Sequence, residues 1–253
     1  MTFLHTIILG IVEGITEFLP VSSTGHLILT SNILGLSQTA FLKTFEVAIQ
    51  SGAILAVLYY AYKKITTRPR ILLPVIYAFI PTALLGLVFY HQIKTLFDDI
   101  RIVAWALIIG GVIMIIVEYL VKNKEEDMPV ESLTPRTAVA LGLIQCLAFI
   151  PGVSRSGATI IGGRLMRLPR TLLVEFSFLL AIPTLGAATG LDLLKTGFSF
   201  TPHEWLLLLV GTAVSGIVAY VVMNWLIRFI KTHSFIWFGV YRIVIGILFL
   251  LFI

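Results

Sequence analysis

Glu13-Gly-Ile-Thr-Glu17-Phe-Leu-Pro20-Val-Ser22-Ser23-Thr24-Gly-His26 closes an apolar run that spans residues 4–19, where a membrane helix would be expected to continue. It does not read as one. Pro20 has no N–H to donate and pushes the residue before it out of the helical region. The Ser-Ser-Thr-Gly that follows favours caps and turns over helix interior. A second stretch of the same kind, Pro151-Gly-Val-Ser154-Arg155-Ser156-Gly-Ala-Thr159, closes the apolar run 137–150. Each break is followed by a short apolar piece, 26–36 and 158–166. Inside a bilayer such a break is tolerated only where protein encloses it or a wet cavity lies against it. Both stretches therefore read as re-entrant helical hairpins that enter and leave on one side.

The rest of the chain supports a membrane setting. Of its 253 residues 58% are hydrophobic and only 12% charged, against about a quarter charged in soluble domains. Mean hydropathy is +1.01. Six further segments are long and apolar enough to span: 41–62, 72–90, 101–121, 172–194, 204–227 and 235–253. The expected fold is thus an all-α polytopic membrane protein, one domain over 1–253, with six transmembrane helices and two re-entrant hairpins. The net charge of +5 lies mostly in short loops, which points to membrane orientation and away from nucleic acid. Cys146 is the only cysteine, so no disulfide forms within the chain. The first apolar run carries Glu13 and Glu17 with no Lys or Arg before it, unlike a cleavable signal peptide.

A shift of 132 residues lays one break on the other. Leu9-Gly10 then meets Leu141-Gly142, Glu13 meets Gln145, Val21-Ser22 meets Val153-Ser154, Thr24 meets Ser156 and Gly25 meets Gly157, with the prolines one place out of register. The chain divides into a first repeat, 1–121, a connecting loop, 122–136, and a second repeat, 137–253. Three crossings per repeat turn the second upside down, the inverted-topology design of many transporters. Loop charges agree. The side opposite the N-terminus receives twelve basic residues (Lys63, Lys64, Arg68, Arg70, Lys122, Lys124, Arg136, Arg164, Arg167, Arg170, Arg228, Lys231). The N-terminal side receives four: Lys43, Lys94, Arg101 and Lys195. The richer side is cytoplasmic, so both termini lie outside.

Chemistry concentrates at the breaks. Glu13 and Glu17 share one helix face, and each ionised group at mid-membrane costs roughly 2.5–3.5 kcal/mol, so a compensating cation is expected: a metal, a basic side chain or a shared proton. All-oxygen ligands favour Mg²⁺ or Ca²⁺. One of Ser22, Ser23 and Thr24 is suited to cap the returning helix. That helix start also offers free amides to an anion, and a serine there could attack phosphorus once a base takes its proton. His26 could be that base, or the acid for a leaving group. Arg155, between Ser154 and Ser156, has a planar fork that matches phosphate, or an internal ion pair with Glu13 or Glu17. Arg242, in the last span, could pair with a carboxylate such as Glu175 or Glu46.

Both motifs closely resemble those of the bacterial undecaprenyl-diphosphate phosphatases, the bacitracin-resistance family, and the likeness covers essentially the whole chain. The resemblance implies a cell-membrane enzyme, its site opening to the periplasmic face, that hydrolyses undecaprenyl diphosphate to undecaprenyl phosphate and inorganic phosphate. The carrier lipid is thereby recycled for peptidoglycan synthesis. Glu13 and Glu17 match paired glutamates associated with divalent-metal-dependent activity. Ser23 matches the proposed nucleophile and His26 the residue proposed for proton transfer. Thr24 matches the hydroxyl neighbour of that serine, and Arg155 matches the arginine expected to hold the diphosphate, with Ser154, Ser156 and Thr159 around it; Ser22 and Thr24 are expected to join these three in binding substrate. An attacking water in place of Ser23 stays open, as does a homodimer. The alternative class is a polyprenyl-lipid transporter or flippase using the same inverted-repeat site. The membrane lipid phosphatases with a histidine nucleophile do not match, because they need a histidine where this chain has Ile161.

Overall fold

Thr2 and Thr134 each cap a helix that runs into one of the two polar motifs, accepting from the amides of His5 and Thr137. In the computed structural model, which describes residues 1–96, 99–121, 128–196 and 200–252, all regular structure among those residues is helical. The first half comprises α1 (Phe3–Thr16), α2 (Ser23–Ile33), α3 (Ala40–Ala48), α4 (Gln50–Thr67), α5 (Leu72–Val88), α6 (Tyr90–Leu96) and α7 (Ile100–Leu120). The second comprises α8 (Pro135–Gln145), α9 (Arg155–Leu165), α10 (Arg170–Thr196), α11 (Pro202–Ile230) and α12 (Ile236–Phe252). Of the connecting loop 122–136, residues 122–127, with Lys122 and Lys124, lie outside the described residues.

Five helical stretches are long and apolar enough to cross a bilayer: Ala40–Thr67, Pro69–Val88, Ile100–Leu120, Arg170–Lys195 and Pro202–Ile230. The chain is a multi-pass membrane protein. The sixth expected span, 235–253, corresponds to α12, whose 17 residues give about 26 Å of helix. The expected span 41–62 is made of α3 and α4, which meet at Ile49. The short helix α6 was not anticipated.

Helix α1 ends at Thr16 and α2 starts at Ser23, so the Pro20 motif does break the helix, and the two arms pack on each other. Helix α8 ends in a 3-10 turn, Cys146–Phe149, ahead of Pro151, and α9 restarts at Arg155. Backbone landmarks recur 132 residues apart. Ser22 and Ser154 have φ of 73° and 75°, a region that L-residues avoid. The returning helices are both 11 residues long. They end in the same Schellman pattern, with Gly35 (φ 64°) and Arg167 (φ 61°) at the left-handed position.

Helix α10 threads the middle. Leu172, Leu173, Val174, Phe176, Phe178, Leu179, Leu180 and Ala181 are all buried, so this stretch is covered by protein on nearly every side. Phe178 packs edge-on against Phe18 of the first break, ring centroids 5.0 Å apart. Helix α1 lies along α11, α8 along α5, α4 against α10, and α7 along α12.

Arg164 and Arg170, read from sequence as loop charges, depart from that expectation. Arg164 is fully buried and donates to Glu118 at 3.0 Å, and Arg170 reaches the other oxygen of the same carboxylate at 2.7 Å. Lys64 pairs with Glu175 at 2.6 Å. The C-terminal ends of α4, α7 and α9 and the N-terminal part of α10 are thereby tied together by charge.

Candidate active site

Glu17 joins the two breaks. Its Oε2 accepts a hydrogen bond from Ser23 Oγ at 2.5 Å, and its Oε1 accepts from Arg155 Nη2 at 3.0 Å. Arg155 sends Nη1 to the carbonyl of Ser177 in α10 at 2.8 Å, and its guanidinium lies 6.0 Å from the Phe18 ring centre. Its Nε is buried without a hydrogen-bond partner. Residues far apart in sequence thus form one line, Ser23–Glu17–Arg155, in a place nearly closed to solvent. Charge-assisted bonds of this length are strong ones.

Ser22 occupies the N-cap position of α2, but its side chain makes no cap. The first-turn amides of α2 therefore keep no side-chain acceptor. Ser23 and Thr24 lie on that turn, Ser23 buried and Thr24 half-buried. In the second break the cap is made. Ser154 Oγ accepts from the Gly157 amide at 3.1 Å and lies 3.1 Å from Ser156 Oγ. Ser156 Oγ donates across to the Leu19 carbonyl at 2.9 Å, and Thr159 Oγ donates to the Arg155 carbonyl at 3.0 Å. The hydroxyls of Ser154, Ser156 and Thr159 thus have internal partners that hold the break in shape.

Glu13 lies one turn before Glu17, with 0% of its surface exposed. Neither of its carboxylate oxygens has a hydrogen-bond partner, while Glu17, Arg155 and Glu46 are within electrostatic reach. Buried polar atoms without partners are rare, and those that occur call for a ligand or water. Glu13 could hold a divalent cation there. Among the described residues no cluster of three or more His, Cys, Asp or Glu side chains adds to this pair, so further ligands would be water or substrate oxygen.

The ring nitrogens of His26 hydrogen-bond to groups other than Ser23. Its Nδ1 is 2.7 Å from the Ser22 carbonyl, and its Nε2 is 2.8 Å from the Tyr241 hydroxyl. A carbonyl only accepts, so Nδ1 carries the proton and, in the neutral ring, Nε2 accepts from Tyr241.

Two residues of the site, Ser177 and Tyr241, had no role in the sequence reading, and Arg242 has partners other than those expected. Arg242, wholly buried, gives every guanidinium nitrogen to backbone carbonyls. Nη1 reaches Pro20 at 3.0 Å and Val153 at 2.8 Å, Nη2 reaches Ala106 and Gly152 at 3.0 Å each, and Nε reaches Leu107 at 3.4 Å. The carboxylates considered as its partners are engaged elsewhere, Glu175 by Lys64 and Glu46 by Ser31. The missed signal was the breaks themselves, since an interrupted helix frees carbonyls that a mid-membrane arginine can satisfy.

A model of the family described as bacitracin resistance protein BacA matches residues 6–248. The chain belongs to this family. It is 48% identical over 252 residues to the undecaprenyl-diphosphatase of Sulfurihydrogenibium sp. (strain YO3AOP1), with 99% of each chain covered. It is 48% identical over 254 residues to that of Wolinella succinogenes, covering 100% of this chain and 99% of the relative. The undecaprenyl-diphosphatase of Aquifex aeolicus (strain VF5) is also 48% identical, over 250 residues and 98% of each chain. Family membership thus agrees with the resemblance carried by the two break motifs.

Proposed function

We propose that this chain is an integral-membrane phosphatase that hydrolyses undecaprenyl diphosphate to undecaprenyl phosphate and inorganic phosphate. It thereby recycles the carrier lipid for peptidoglycan synthesis and confers bacitracin resistance. The observation that carries this reading is the Ser23–Glu17–Arg155 line, which puts a hydroxyl, its base and a phosphate-matching fork in one buried place. The relatives' name favours hydrolysis over transport.

Phosphoryl transfer needs positioning and charge neutralisation more than covalent ingenuity. Arg155 holds the diphosphate with its free Nε and with Nη2 once the Glu17 pair opens, assisted by the uncapped amides of α2. Glu17 takes the Ser23 proton. Ser23 Oγ forms a bond to the terminal phosphorus as the bridging P–O bond breaks, and undecaprenyl phosphate leaves with the electron pair. Water then attacks the phosphoserine, and Oγ recovers its proton from Glu17. A Mg²⁺ or Ca²⁺ ion held by Glu13, when bound, supplies positive charge beside the phosphate.

The finer architecture is part of the same proposal. The motifs form two re-entrant hairpins among six spans, in inverted repeats, with both termini outside and the site opening to the periplasmic face of the cell membrane. Support comes from the landmarks recurring 132 residues apart and from swapped packing, α1 on α11 and α8 on α5. Detergent-purified protein given a polyprenyl diphosphate labelled at the terminal phosphate tests the function. Released phosphate and a transient labelled serine at position 23 are expected. Lipid movement in vesicles with no phosphate release under several divalent ions would overturn it.

A further inference from the structure

Arg242 reaches from α12 to both breaks at once. Its Nη1 donates to the Pro20 carbonyl of the first break and to the Val153 carbonyl of the second. Its Nη2 adds the Gly152 carbonyl of the second break and the Ala106 carbonyl of α7, and its Nε the Leu107 carbonyl of α7. A guanidinium has five N–H groups, and these five bonds use them all. None is left for a phosphate, so Arg242 acts through the backbone that it holds. That backbone carries the reacting groups, since Pro20 lies between Glu17 and Ser23 and Val153 is two places before Arg155.

Two other side-chain bonds cross between the breaks, Arg155 to Glu17 and Ser156 Oγ to the Leu19 carbonyl. The first has to open when Arg155 takes up the diphosphate. What keeps the breaks together at that moment must then be a bond that substrate does not displace. The Nη1 bridge is such a bond, and its ionised donor makes it stronger than the neutral hydroxyl bond of Ser156. We infer that Arg242 is a positioning residue: it keeps the two breaks in register while the Glu17–Arg155 pair is open, so that Ser23 on one break stays aligned with the phosphorus that Arg155 holds from the other. The slot it occupies is cut by glycine. A Cβ at position 110, on α7, would collide with Arg242 Nη2 and lie 2.9 Å from its Cζ, and the three nearest atoms it would meet all belong to Arg242.

The inference rests on the phosphatase reading, and the test separates the two. Gly110→Ala keeps every residue of the site and pushes the guanidinium out of its slot, and alanine is the better helix former, so the variant keeps its helix. Arg242→Met removes the guanidinium itself. Both are assayed in single turnover, with protein in excess over a polyprenyl diphosphate labelled at the terminal phosphate, well below each melting temperature. The rate constant then reads chemistry per active molecule, whatever fraction of the protein is folded. Each variant should release phosphate about a hundredfold more slowly, the order of loss for a misplacement of about 1 Å. The double variant should be no slower than Arg242→Met, because the added methyl group then has no guanidinium to displace. Gly186→Ala, whose Cβ would meet nothing within 4 Å, should match the parent. Should Arg242→Met fail to fold, Gly110→Ala against Gly186→Ala still decides. A parental rate constant in Gly110→Ala overturns the inference, as do losses that multiply in the double variant or a loss confined to substrate affinity. An unsubstituted protein that releases no phosphate overturns the functional reading instead.

Discussion

The two helix breaks share a backbone and differ in chemistry. Both place a serine at φ near 75° before an 11-residue helix that closes on the same Schellman pattern. Along that common backbone, Glu13 faces Gln145, Ser23 faces Arg155, and His26 faces Ala158. The first break keeps its acids and hydroxyl for reaction and leaves its helix start uncapped. The second caps its helix with Ser154 and contributes one cation. The lesson is one of segregation. A device that puts a helix start inside a membrane exists twice, and only one copy carries the acids and the hydroxyl that chemistry uses, because the other supplies the opposing charge.

The largest effects should come from cutting the bond that joins the breaks. Arg155→Ala removes the phosphate fork and Glu17→Gln removes both the base and the anchor of that fork. Each should lower kcat by about 10³-fold or more, read as phosphate release per minute, in line with transition-state arginines elsewhere. A hundredfold smaller loss in either would mean that the breaks work separately. Next come the adjacent serines of the first break. Ser23→Ala should lower kcat by about 10³-fold, and Ser22→Ala, which removes a side chain that makes no cap, by less than about tenfold. Equal, small losses would remove Ser23 as nucleophile.

Much of this site was legible in the sequence because its residues are costly in lipid. Glu13, Glu17 and Arg155 had to find partners, and Pro20 and Pro151 had to end their helices, so their meeting was foreseeable. What escaped the reading depended on backbone. Arg242 binds five carbonyls, and carbonyls carry no residue label. Ser177 enters the site through its carbonyl as well. Ser23 chose Glu17 over His26 because the turn after Glu17 brings the hydroxyl back onto the carboxylate, and that geometry has no periodicity to betray it. Arg164 looked like a loop charge because Glu118, its partner, belongs to a different helix.

The third comparison is Glu13 with Gln145. Gln145 donates to Thr82 Oγ1 at 3.1 Å, whereas the Glu13 carboxylate has no hydrogen-bond partner. Glu13→Gln should therefore stabilise the protein while abolishing its response to added Mg²⁺ or Ca²⁺. Gln145→Glu should destabilise it by roughly 2.5–3.5 kcal/mol, the order of cost for a lone mid-membrane carboxylate. Thermal shifts in detergent, with and without divalent ions, read both. An undiminished divalent response in the Glu13→Gln protein would remove Glu13 from the cation site.

The smallest effect tests the shared backbone itself. A residue held at positive φ away from the usual wells stores on the order of 1–3 kcal/mol, and glycine relieves most of it. Ser22→Gly loses no cap, so its whole effect is relief, and a gain of about 1 kcal/mol should raise the melting temperature by about 2–4 °C. Ser154→Gly gains the same relief but gives up the bond from the Gly157 amide, a loss of a few tenths of a kcal/mol. The first variant should therefore be the more stable of the two. If Ser154→Gly were stabilised more than Ser22→Gly, the cap would contribute nothing, and the difference between the breaks would lie only in their charged residues.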